Sequence, residues 1–191
     1  MAIVINGSGT VTGISVGGLP DGIVDDGTLA TDSVTAAKLK DDAIATGDLP
    51  AGSVIQVVSS TVRTSQDTTT SGTPAEIHSN YRVTITPISN SSKIVLMLNG
   101  NWRMSAGSSF SLGIYRSVDG GSYSKVNSGN GNETWRNRGS DLWQMSGTVM
   151  HYDSPSTTDV CVYTPYYWTG GEARMNDQGM GSFMLGMEVA G

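Results

Sequence analysis

The chain has 191 residues, 25 of them glycine, a formal charge of −6 and a single cysteine. Sparse charge, abundant glycine and frequent Ser, Thr and Asn point to many turns and short strands, an all-β composition. The acidic balance excludes nucleic acid as the main partner, because phosphate contacts need clustered Lys and Arg.

One cysteine cannot form an intrachain disulfide or a thiolate metal cluster. No stretch approaches the roughly 20 apolar residues that a membrane helix needs, so no membrane insertion is expected. The opening "MAIVINGSGTVTG" lacks the basic start and apolar core of a signal peptide. Release of an assembled particle at lysis would be one route out of a cell.

Residues 1–52 contain no aromatic residue and carry seven aspartates against two lysines. A compact core is normally built with aromatics and clustered aliphatics. This segment has neither, so an independent globular domain is not expected. Its glycines at Gly7, Gly9 and Gly13 brush against phosphate-loop patterns. The spacing is wrong, and no helix-forming run follows to supply a dipole.

What the segment does have is one large aliphatic at every fifth position. The series runs Ile14, Leu19, Val24, Leu29, Val34, Leu39, Ile44, Leu49, Val54. On an α-helix, positions five apart are rotated by about 140°, so no stripe forms. On a strand, an odd spacing alternates faces. One chain alone therefore buries this series poorly. It could coil on itself as a short solenoid, or several copies could meet around a shared axis. Nine repeats make only about two coils of a four-sided solenoid, which gains little from stacking, so the shared axis is favoured. Val24, Val34, Ile44 and Val54 are β-branched and alternate with Leu19, Leu29, Leu39 and Leu49, which suggests two kinds of layer along a fibre. A disordered acidic linker is the bland alternative.

From residue 53 on, the sequence alternates as strands do. Tyr81, Val83 and Ile85 share one face. So do Ile94, Leu96, Leu98 and Trp102, with Val95 and Met97 opposite. Phe110, Leu112 and Ile114 form a third set, and Phe183, Leu185, Met187 and Val189 a last one. "DLWQMSGTVMHYD" and "DVCVYTPYYW" are further candidates, and Cys161 in the latter reads as a small apolar strand residue. Turn signals such as "SVDGGS" and "WTGGE" separate these runs. About eight strands predict an antiparallel, jelly-roll-like β-sandwich. Val95, Met97, Met145 and Met184 then need a second burial partner, which an intersubunit contact would supply.

Taken in order, "MAIVINGSGTVTGISVGGLPDG", "DSVTAAKLKDDAIATGDLPAGSVIQVV", "ITPISNSSKIVLMLNGNW", "YDSPSTTDVCVYTPYYW" and "FMLGMEVAG" resemble tail-fibre or virion-fibre proteins of tailed bacteriophages, especially those of marine and cyanobacterial hosts. The resemblance covers most of the chain and rests on the order of segments. It implies a homotrimer whose N-terminus grips another virion protein and whose β-rich head points outward to a host surface, often a glycan. It implies a virion location. The expected architecture is all-β: a virion-anchoring segment at 1–22, an extended pentad-repeat stem at 23–54, and a β-sandwich head at 55–191.

No catalytic residue, metal or cofactor is expected. His78 and His151 are the only histidines, and neither has a nearby ligand partner in sequence. Three copies of His151 on a trimer axis would be one route to a metal; the adjacent acids at 25–26 and 41–42 read as solvated surface charge rather than a cation site. Glu133, Asp141, Asp153 and Glu172 are the acids available for glycoside cleavage, but their spacing does not pair them. Recognition chemistry is richest in "NSGNGNETWRNRGSDLW". Asn130, Asn132, Glu133, Arg136 and Arg138 offer donors and acceptors, and Trp135 offers an apolar ring face. Tyr166 and Tyr167, near the "WTGG" turn, are a second candidate. Such mixtures suit hydroxyl-rich ligands. The functional expectation is a structural virion fibre whose head binds host-surface glycan. The alternative is a purely structural capsid fibre or tail adaptor without a receptor. A surface-cleaving enzyme ranks last.

Overall fold

The computed structural model describes residues 31, 34–35, 48–126, 133–136 and 140–191, with 133–136 given by its backbone. Thr46–Gly191 form one compact unit, separate from Met1–Ala45. The anchoring segment 1–22 and the stem positions Leu19, Val24, Leu29, Leu39 and Ile44 lie outside the described residues.

Among the described residues the chain forms twelve strands: β1 (Val54–Ser59), β2 (Asp67–Thr69), β3 (Ala75–Glu76), β4 (Val83–Ile85), β5 (Lys93–Met104), β6 (Ser109–Val118), β7 (Ser124–Lys125), β8 (Glu133–Arg136), β9 (Trp143–Asp153), β10 (Cys161–Thr169), β11 (Ala173–Met175) and β12 (Phe183–Val189). The long strands are the ones whose alternation is visible in the sequence. The additions to the expected eight include β2, β3, β7 and β11, pieces of two or three residues. Pieces so short carry no period of their own; their pairing partners define them.

All pairings are antiparallel and build two sheets. In the first, β5 is central. It pairs with β9 along one edge, and with β12 and then β11 along the other. β1 flanks β12 and β2 flanks β11. In the second, β10 and β6 are central, with β3 and β4 beside β10 and β7 and β8 beside β6. The result is a jelly-roll-like β-sandwich.

The inner faces meet as the period of two dictates. β5 contributes Ile94, Leu96, Leu98, Trp102 and Met104; β6 contributes Phe110, Leu112 and Ile114; β10 contributes Cys161, Tyr163 and Tyr167. The Trp102 and Phe110 rings meet between sheets, with centroids 6.2 Å apart. Gly186 on β12 lets β4 lie close, because a Cβ there would sit 2.7 Å from Ile85 Cδ1 and 2.8 Å from Val83 Cγ1.

Two carboxylates inside the sandwich are paired, as buried charges must be. Asp153 on β9 accepts hydrogen bonds from Arg116 Nη1 at 2.6 Å and from the Tyr163 hydroxyl at 2.8 Å, tying the sheets together. Glu188, fully buried on β12, accepts from the Ile88 N–H at 2.7 Å and from the Gln56 side chain.

Pairing in the sandwich starts ahead of β1, within the residues 23–54 expected as stem. Gly52 N–H donates to Ala190 O, and Ala190 N–H donates to Ser53 O, so the sandwich is already paired two residues before β1. Val54, the last stem position, opens β1. Met184 and Met145 also differ. Met184 is fully buried on the inner face of β12, and Met145 packs against the core, so neither needs a second partner. The parity of β12 runs the other way: Phe183, Leu185, Met187 and Val189 are the outward set.

Candidate functional site: an apolar face and an aromatic platform

The outer face of the first sheet is apolar in consecutive rows. Residues directly opposite in an antiparallel ladder share a face. One row reads Val57 on β1, Met187 on β12, Val95 on β5 and Tyr152 on β9. The next reads Ser59, Leu185, Met97 and Met150. Phe183 extends the patch beyond the second row, and Val54 with Val189 extends it beyond the first. Val57 is 56 % exposed, Met150 60 % and Tyr152 51 %. Isolated exposed apolar residues are ordinary, but these contiguous rows form one extended apolar patch on a sheet face.

The outer face of the second sheet differs in kind. Along β10, Val162, Thr164, Tyr166 and Trp168 alternate with inward residues. Tyr166 stands opposite Glu76 on β3 and Gly113 on β6. Gly113 has no side chain to fill the row. The ring of Tyr115, two residues on, stacks with Tyr166, with centroids 4.0 Å apart and planes at 25°. Tyr123 lies 6.0 Å from Tyr166, and the Arg82 guanidinium sits 5.7 Å from the Tyr123 centroid. Arg82 donates two hydrogen bonds of 2.7 Å to Glu76, and Thr164 Oγ1 donates a third of 2.7 Å to Glu76 Oε1. The Arg82 hydrogen bond holds the Glu76 carboxyl below its usual range. Partial burial pushes the phenols of Tyr115, Tyr123 and Tyr166 up, so they remain protonated donors at neutral pH.

The residues expected to bind ligand are dispersed. Tyr166 is on this aromatic face. Tyr167 is a correction: the adjacent strand position points inward, where it is 5 % exposed and meets Phe110 edge-on at 6.5 Å. Burial pushes its phenol up to about 12. Glu133, Trp135 and Arg136 belong to β8, at register positions opposite Leu112, Phe110 and Ser109 of β6. Asn130, Asn132 and Arg138 lie outside the described residues. Sequence reading missed Tyr115, Tyr123, Arg82 and Glu76. The available signal was Tyr115 at outward parity to Phe110, Leu112 and Ile114.

The stem positions that are described divide. Val34 is exposed, Val54 stands on the apolar face, and Leu49 is half-buried, lining a cavity of about 240 Å³ with Ala51, Ile55, Ile88 and Ala190. His151 points between the sheets and is 8 % exposed, so it faces away from any axis along the outer surface. Asp141 precedes β9 and Asp153 is its last residue, and Glu172 accepts from Arg174 Nε at 2.6 Å. Among the described residues no three His, Cys, Asp or Glu side chains converge as a metal site. Among them, too, no helix is long and apolar enough to cross a membrane.

No family model matches the chain, and no curated protein matches it. Among solved structures it is similar to the Eiger TNF of S. frugiperda, with 9 % identity, covering 72 % of this chain and 93 % of that one, at a TM-score of 0.45. It is also similar to the infectious bursal disease virus VP2 subviral particle, with 11 % identity, covering 71 % of this chain and 38 % of that one, at a TM-score of 0.29. Neither likeness assigns a ligand or partner to this chain.

Proposed function

We propose that this chain is a non-enzymatic structural fibre protein of a tailed-bacteriophage virion. It works as a homotrimer, with residues 1–22 held by another virion protein and the heads binding saccharide on the host surface. The observation that supports this most is the place of Val54. It is the last member of the five-residue series, and it stands opposite Val189 on the same exposed face as Val57 and Met187. The last position of the aliphatic series thus already belongs to an apolar head surface. Covering that surface with further copies removes exposed hydrocarbon from water at about 25 cal/mol per Å². The number three comes from the family resemblance; the apolar rows support self-association.

Light scattering of the full chain tests the reading. The expected mass is about three times the 20.0 kDa of one chain. A 20.0 kDa species at micromolar concentration would refute it.

A further inference from the structure

We propose that the outer face of the second sheet is a saccharide-binding platform built from Tyr115, Tyr123 and Tyr166, with Trp168 beside them on β10 and the Arg82–Glu76 pair fixing its rim. This deepens the functional reading and rests on it for the setting of the ligand.

Three observations carry the platform. First, the three phenolic rings cluster on one face and each residue is only half-buried, which leaves an aromatic surface partly accessible. The C–H face of a pyranose packs on such surface, and large rigid rings contribute contact area at low entropic cost. Trp168, two residues along β10 from Tyr166, is half-buried on the same face. Second, none of the three phenolic hydroxyls has a hydrogen-bond partner among the described residues. A phenol both donates and accepts, which matches a ring of sugar hydroxyls. Third, the charges at the rim are spent. Arg82 and Glu76 bond each other at two points, and Thr164 secures Glu76 to β10. Recognition therefore falls to ring area and hydroxyls, the usual division of labour in a sugar site.

The topology gives the platform its use. It lies on the opposite side of the sandwich from the apolar rows. With copies of the chain covering the first sheet, the platforms of an assembly face outward. Several weak sites on one fibre then bind a sugar-coated surface by avidity.

The test is saturation-transfer NMR on the full chain with the methyl glycosides of glucose, galactose, mannose and N-acetylglucosamine. Light scattering is run on the same samples. Wild type is expected to transfer saturation to ring protons of at least one glycoside. Tyr166→Ala and Tyr115→Ala should lose it at least tenfold, with Tyr166→Phe intermediate. Tyr123→Ala lies in the irregular stretch before β7, so it trims the platform without interrupting a strand, and it should also weaken the signal. Undiminished transfer in Tyr123→Ala and Tyr166→Ala, or no transfer to any glycoside, overturns the platform. A trimer mass without sugar contact refutes the platform alone. Sugar contact from a 20.0 kDa species refutes the fibre reading alone.

Discussion

Val54 stands directly opposite Val189 across β1 and β12, and both side chains leave the sandwich on the outer face of the first sheet. The register continues to Val57 opposite Met187 after a bulge at Ile55, which keeps Val54 and Val57 on one side. The last position of the periodic series is therefore part of the head surface.

A charge placed in the rows should prevent association. Val57→Asp and Met150→Glu replace side chains more than half exposed in the single chain, so they remove little internal packing. The expected result is a fall in light-scattering mass toward 20.0 kDa with an unchanged circular dichroism spectrum. A mass equal to that of wild type would place the contact elsewhere.

Gly186→Val should destabilise the sandwich. The new side chain meets Ile85 and Val83 at distances real Cβ atoms essentially never show, so those side chains or β4 must shift. Overpacking of this kind costs about 1–3 kcal/mol. Denaturant unfolding should show an earlier midpoint, and Gly186→Val,Ile85→Ala should recover part of the loss.

Removing one partner of the buried pair on Asp153 should cost more. In Arg116→Met the carboxylate is left with the Tyr163 hydroxyl alone, deep between the sheets. An unpaired buried charge costs about 3–5 kcal/mol. The double variant Arg116→Met,Asp153→Leu should regain much of that, measured by the same unfolding curves. Equal loss in both would mean that packing, not charge, dominates.

Glu76 should make stability depend on acid. Its folded carboxyl titrates below the ordinary value of 4.5 because Arg82 hydrogen-bonds the charged form. The unfolded chain therefore takes up the proton first as pH falls. The contribution is full above pH 4.5 and is lost as pH drops through the lower folded value. The advantage of wild type over Glu76→Gln in urea midpoint should shrink across that window. A constant difference down to acid pH would show that the Arg82 contact stores no pH-dependent stability.

Strand identity was legible wherever alternation ran long. Ile94, Leu96 and Leu98 share a face because a strand has a period of two. β12 was legible in parity but not in sense: Phe183, Leu185 and Met187 share a face, yet Gly186 and Glu188 lie inside. A glycine and a glutamate look like the wet side of a strand. Close packing by β4 and the hydrogen bonds from Gln56 and Ile88 reverse that reading. At the candidate site, Tyr166 and Tyr167 looked equivalent as neighbours in one aromatic run, whereas adjacent strand residues must part to opposite faces.

Residue by residue, the order of amino acids determined the all-β class, the long strands and the five-residue aliphatic series, because backbone periodicity is a local property. Only the tertiary structure decided which face of each sheet is dry, that Tyr115, Tyr123 and Tyr166 meet, and that Val54 shares a surface with Tyr152. Those facts depend on registers between strands distant along the chain, and no local pattern encodes a register.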